Sequence, residues 1–410
     1  MQPVRLVLPG DYWDSYIYRD RLYLWETSNT VRIYNWDALV NALADRRSRL
    51  SLVCAFSRGD LLYRKEARSV VFDDPDLQTL LFEKFASITQ QQWELTPPTL
   101  ERYQIGLQDS PFSTLHDDLG FYHNKIYALT GDGLFVAGAH KPNQNRYKVD
   151  RKAEKIWDGR GTSLKPGRAS LAIAAADQGL FEYTIQRNGR LEPSQVSERH
   201  TLFADWTFAS IYGSSDIAPG YLAAFEWLPV QAGQSSSAWD RRFSRLYNED
   251  EIFDLPEDAI NAGKLSWGTQ EKLHMLSDGR IQVIRFTQRN VSRETASESP
   301  FTHIADIQVE SLGRPICAGT AYFGIIAEYE KGLLVVCSDE QHHLIPGPIV
   351  RWRVFPRSER YENHLHVVLN DRLEVYSFNG DYFVDQRQKA AGIEFREEDS
   401  RGRRARRGRE

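Results

Sequence analysis

The chain has 410 residues, with 51 Lys and Arg against 56 Asp and Glu, a formal net charge of −5, and 12% aromatic residues. No apolar run approaches bilayer-spanning length, and Asp11, Asp14, Arg19 and Asp20 interrupt the start before an apolar leader forms, which argues against a membrane span and a secretory signal. Three cysteines, Cys54, Cys317 and Cys337, are odd in number and lack metal-like spacing, which speaks against a disulfide framework or a zinc site and for a reducing, cytoplasmic compartment.

In chain order, Pro3 to Leu8 reads as a lone strand. A hairpin follows: Tyr16-Ile17-Tyr18, a turn at Arg19-Asp20, Arg21-Leu22-Tyr23-Leu24-Trp25, a turn at Ser28-Asn29, and Val31 to Tyr34. Ala38 to Leu43 reads as a short helix. Leu50 to Phe56, with a turn at Arg58-Gly59-Asp60, reads as a strand-like run, either the outer strands of the first repeat or a whole eighth one. A second helix is marked by Asp74 as cap, Pro75 at the first helical position, and Leu77, Leu80, Leu81, Phe85 and Ile88 on one face. Trp93 to Pro111, with Pro97-Pro98, reads as an extended excursion.

The hairpin then recurs. Gly120-Phe121-Tyr122, Lys125-Ile126-Tyr127-Ala128-Leu129 and Leu134-Phe135-Val136 surround turns at His123-Asn124 and Gly131-Asp132-Gly133. Asn and Asp-Gly pairs accept the positive φ angles that tight hairpins need. Further copies run over Leu171 to Tyr183, Phe208 to Trp227 (degenerate), Leu273 to Phe286, Ile325 to Cys337 and Leu365 to Phe378. Lys141 to Lys155 is a basic-rich loop, and residues 231–263 form a loop insertion containing Trp239. After Phe395 the composition changes. Residues 401–410 carry six Arg and one Glu, a net +5 that leaves the remainder of the chain at about −10. Residues 396–410 are therefore expected to be a disordered Arg/Gly-rich tail.

Seven repeated hairpin units, mostly 40 to 55 residues apart, have the spacing of four-stranded propeller blades. Asn29 to Asp37, ending in Trp36-Asp37, resembles the tryptophan–aspartate repeat family, although the Gly-His dipeptide of that family is missing. The resemblance covers residues 3 to 385 at the level of fold. It implies an all-β chain: a single closed β-propeller of about seven four-stranded blades, with six or eight as alternatives, over residues 1–395. A helical insertion is expected around 74–93, and the strand Val4 to Leu8 should pair with the strands around Leu373 to Phe378 to close the ring.

Chemical motifs are sparse. Gly159-Arg160-Gly161-Thr162 lacks the frame of a phosphate-binding loop, and Gly213-Ser214-Ser215-Asp216 is no nucleophile elbow. Ser214 to Gly220 does not match the sialidase box. Asp117, Asp118 and Asp205 are candidate channel carboxylates without diagnostic spacing. His364 and His366 share a strand face, but His366 falls at the repeat position of Tyr23, Tyr127 and His274, which marks a blade position and not a metal ligand. No catalytic, cofactor or metal residue is assigned. The expected role is a non-enzymatic binding platform in a bacterial regulatory or defence-type multiprotein complex, contacting a protein partner through Leu81, Phe85 and Ile88. The alternatives are a channel enzyme acting on glycans or another polar substrate, and a nucleic-acid accessory acting only through Arg401, Arg403, Arg404, Arg406, Arg407 and Arg409.

Overall fold

The structure, a computed structural model, describes the chain except residues 144–145, 168, 186–192, 230–238, 256–263, 288–298, 387–388 and 395–410. Among the described residues the strands form seven sheets, each built on an antiparallel four-stranded meander; in five of them the four strands follow one another in chain order, one takes its fourth strand from beyond an insertion, and one takes it from the N-terminus. The chain divides into two compact units, Met1–Ser110 with Lys141–Lys148 and Thr320–Glu410, and Pro111–His140 with Val149–Gly319. A repeated meander of four antiparallel strands is the blade of a β-propeller, and the fold is a divergent member of that class, with seven blades.

The first unit holds three blades. One consists of Tyr12–Tyr18, Arg21–Glu26, Thr30–Asn35 and Gln104–Asp109. Another comprises Gly324–Tyr329, Gly332–Cys337 and His342–Pro346, preceded by the strand Pro315–Ala321, in which the first unit resumes at Thr320. The last consists of Arg351–Val354, His364–Val368 and Arg372–Ser377 and is completed by the N-terminal strand Val4–Pro9. That strand runs antiparallel to Arg372–Ser377, from Val4 opposite Ser377 to Pro9 opposite Arg372. This is the pairing expected from the sequence. Alternation explains it: Val4, Leu6 and Leu8 are fully buried while Arg5 and Val7 point the other way.

The second unit holds four blades. Their first strands are Asp118–Tyr122, Ser163–Gly167, Phe203–Thr207 and Leu265–Thr269. Their middle hairpins coincide with the repeats at Leu171 to Tyr183, Phe208 to Trp227 and Leu273 to Phe286, and with the one around Gly131-Asp132-Gly133. Trp239–Asn248, expected within a loop insertion, is instead the outer strand of its blade and pairs along Tyr221–Pro229. The basic-rich loop also differs from expectation. Gly133–Asn143, Arg146–Val149 and Glu154–Trp157 are strands, so the segment extends a blade and does not leave it. Asp118 joins two blades by accepting the Leu164 N–H at 2.8 Å, a structural task for a candidate channel carboxylate.

Arg241 makes a stronger junction. Its guanidinium donates to both Glu182 oxygens at 2.8 and 2.7 Å, donates to the Ala209 carbonyl, and lies 3.5 Å from the Phe225 ring centroid. Substituting Arg241→Ala leaves Glu182 buried without its partner, and unfolding in urea should show a loss of about 3 kcal/mol. Retention of the wild-type midpoint would show that the pair contributes nothing.

Between the third and fourth strands of the first blade lies a helical layer, Trp36 to Tyr103. It contains α1 (Trp36–Leu43), α2 (Arg49–Phe56), α3 (Lys65–Phe72), α4 (Pro75–Thr89) and α5 (Pro97–Tyr103). A short α6 (Glu249–Phe253) follows the outer strand Trp239–Asn248. Two expectations are corrected here. Leu50 to Phe56 is helix, not strand. Pro97-Pro98 opens a helix instead of extending the chain, as proline at the first helical positions costs no hydrogen bond. The insertion is thus larger than 74–93, and it explains the long gap between the first two hairpins.

Candidate functional site

The repeat position shared by Tyr23, Tyr127, His274 and His366 is buried in all four blades. Each of these residues sits opposite a β-branched side chain on the next strand: Ile33, Val136, Val283 and Val375 respectively. His274 stacks on Trp267 with centroids 5.0 Å apart and planes 6° from parallel. Burial, and then the nearby Lys272 ammonium, push its pKa down to about 3. The position is therefore a blade-packing site, as its recurrence indicates.

His364 and His366 face the helical layer and the first blade. A helix C-terminus leaves carbonyls without intrahelical partners, and a buried one needs side-chain donors. The C-terminal end of α2 meets this need. His364 donates from Nε2 to the Ala55 carbonyl at 2.9 Å, Ser377 Oγ–H donates to the same oxygen at 2.7 Å, Tyr382 O–H to Cys54 O at 3.2 Å, and Trp36 Nε1–H to Phe56 O. Because a carbonyl only accepts, His364 carries its proton on Nε2. His366 Nδ1 lies 3.0 Å from Ser15 Oγ. Burial lowers the pKa of His364 to about 3 and that of His366 well below its ordinary value. Among the described residues no group of three or more His, Cys, Asp or Glu side chains could hold a metal ion.

Two buried ion pairs also serve the fold. Asp14, fully buried, accepts from Arg353 Nε at 2.7 Å and Nη2 at 2.6 Å, joining the N-terminal and C-terminal blades of the first unit. Asp381 accepts from Tyr63 O–H, Ser338 Oγ–H and Lys389 Nζ, while Lys389 also donates to the Tyr322 carbonyl at 3.1 Å. These bonds tie the helical layer and the segment after the last strand to one blade. Nothing in the sequence pattern pointed to either pair: Asp14 and Arg353 lie far apart along the chain, and Asp381 and Lys389, though only eight residues apart, fall outside the repeated hairpins.

The helical layer is the candidate interaction site, but not through the residues expected. Asp74 caps α4 by accepting the N–H groups of Asp76 and Leu77, as expected. Leu81, Phe85 and Ile88 are then buried, at 7%, 0% and 1% exposure, in a core shared with Val4, Leu6 and Tyr382. Phe85 packs 5.7 Å from Tyr382. They anchor the helix to the blade and offer no surface to a partner. The apolar face is wider than the contact it makes, so its margins remain exposed: Leu77 at 41%, Leu80 at 49% and Phe82 at 44%. Val70 on the adjoining α3 is exposed as well. Phe82 meets Phe383 edge to face at 5.2 Å, which fixes its ring at the solvent boundary. The six tail arginines lie outside the described residues, as do the side chains of Lys141, Arg146 and Lys148. No helix among the described residues is long and apolar enough to cross a membrane.

No protein-family model matches the chain, and no curated protein matches it in sequence. Solved structures are similar at low identity. The Neurospora crassa Pan2 WD40 domain aligns at 6% identity over 90% of each chain, with a TM-score of 0.44. Chaetomium thermophilum Raptor aligns at 9% identity over 92% of this chain and 28% of its own, with a TM-score of 0.47. The WD40 β-propeller domain of Doa1 aligns at 9% identity over 66% of this chain and 97% of its own, with a TM-score of 0.35.

Proposed function

We propose that the protein is a non-enzymatic binding platform whose partner-facing surface is the exposed margin of the helical layer. The observation that carries this reading is the combination of an anchored helix and unspent apolar area. α4 is fixed through Leu81, Phe85 and Ile88, yet Leu77, Leu80 and Phe82 face solvent on the same element, with Val70 on the neighbouring helix. Exposed apolar clusters on rigid elements mark interaction sites, because covering them releases surface from water without ordering a loop. The setting proposed is a bacterial, cytoplasmic regulatory or defence-type assembly. In support, all three cysteines are free thiols.

The test is affinity purification of the Leu77→Glu/Leu80→Glu variant from the native host. The expected result is loss of proteins that co-purify with the wild type, with an unchanged melting curve, since both side chains are exposed. Wild-type association by a folded variant would reject this surface.

A further inference from the structure

We propose that a groove on the second unit binds an arginine side chain of an extended basic segment from a partner protein. The groove, of about 730 Å³, lies where the outer strand Glu154–Trp157 is followed by the next blade, Ser163–Gly167, Ser170–Ala174, Leu180–Thr184 and Ser194–Ser197. Its floor is an aromatic pair, Trp157 and Phe181, with centroids 4.8 Å apart and planes tilted by 51°. Both rings are half-buried, so a face is left for a ligand. Gly159 makes room for the indole: a Cβ at that position would lie 1.9 Å from Trp157 Cζ2.

The rim is acidic. Asp158, Asp177 and Glu198 line the groove together with the amides of Gln178 and Gln195. Asp158 is already paired with Lys155 at 2.5 Å. Asp177 is 96% exposed, and its carboxylate stands 3.7 Å from His200 Nε2. The nearby cation Arg199 is directed elsewhere, to Asn248 Oδ1 at 2.8 Å and over the Tyr221 ring. Asp177 and Glu198 are therefore the carboxylates with charge to offer an incoming group.

Aromatic faces attract cations, and carboxylates add charge-assisted hydrogen bonds. Guanidinium suits this pairing better than ammonium. It is planar and weakly hydrated, stacks on a ring, and presents its N–H fork in the ring plane towards carboxylates at the rim. Charge complementarity thus commits the groove to an arginine. The groove belongs to the second unit and the helical-layer surface to the first.

The test is fluorescence polarisation of a labelled Gly-Arg-Gly-Arg-Gly peptide on the full-length protein, against the same peptide with citrulline in place of both arginines. Citrulline keeps the shape and loses the charge. The arginine peptide should bind about tenfold more tightly, and Asp177→Asn/Glu198→Gln should remove about tenfold of its affinity. Gly159→Ala, which displaces the indole, should weaken binding without removing a charge. Asp177 and Glu198 are exposed, so the melting curve of the Asp177→Asn/Glu198→Gln variant should match the wild type. Equal affinity for the two peptides, or undiminished binding by the Asp177→Asn/Glu198→Gln variant, would overturn the assignment and leave only diffuse attraction to an acidic protein.

Discussion

Lowering the pH from 7 to 5 should destabilise the protein by several kcal/mol. His274, His364 and His366 are buried and neutral, the first two with pKa values of about 3 and the third held well below its ordinary range, against 6.5 for an exposed imidazole. Below pH 6.5 the unfolded chain binds protons at these rings and the folded chain does not. The unfolded state is therefore favoured progressively as pH falls from 6.5 towards 3, and their stabilising contribution returns as pH rises through that window. The two rings with pKa values near 3 together lose roughly 4 kcal/mol between pH 7 and pH 5, and His366 adds in the same direction. That is comparable with the whole stability of a typical domain. Burial also lowers the pKa of His343, which adds in the same direction. Urea unfolding at the two pH values measures the effect, and His274→Gln should reduce the loss by about a third. A stability unchanged within about 1 kcal/mol would show that these rings are protonated in the folded state.

The same histidines show why parts of the chain were legible and others were not. The repeat position of His366 was readable because a hairpin repeats its side-chain alternation locally, and the turns at Arg19-Asp20, His123-Asn124 and Asp278-Gly279 adopt the positive φ angles their composition favours. The partner of His364 was not readable. Ala55 belongs to a segment whose Leu50, Leu52, Cys54 and Phe56 alternate as a strand would. Helix wins there because buried donors from Trp36, His364, Ser377 and Tyr382 capture its final carbonyls, and these come from elements remote in sequence. One local signal did exist: Asp45 accepts the N–H groups of Arg47 and Ser48 just ahead of α2, an N-terminal turn pattern. The outer strands Gln104–Asp109 and Trp239–Asn248 were hidden by the insertions that precede them.

The apolar face of α4 illustrates a second limit. Helical spacing correctly grouped Leu77, Leu80, Leu81, Phe85 and Ile88, but periodicity shows only that a face exists. Which part of it is covered depended on Tyr382 and Phe383, from the far end of the chain. The groove at Trp157 and Phe181 is legible only in three dimensions for the same reason: its floor is made by residues of two different blades.

Removing residues 1–8 should have an effect as large as acidification. Val4, Leu6 and Leu8 are fully buried, and transferring three such side chains back to water costs about 6 kcal/mol. The ladder to Arg372–Ser377 is lost with them, as is the support for Trp93–Glu94, which pairs in parallel with the N-terminal strand. Leu95, whose N–H donates to Val7 O at 2.9 Å, is released as well. Arg372–Ser377 would then become an open edge, so the truncated protein should self-associate as well as unfold at lower urea concentration. Because the missing element is a single extended strand, a synthetic peptide of residues 1–10 should restore part of the lost stability by adding back to that edge. The milder Leu6→Ala should cost about 3 kcal/mol in the intact chain. If the truncated protein kept the wild-type urea midpoint, the N-terminal strand would be an ornament on the last blade and not the element that completes it.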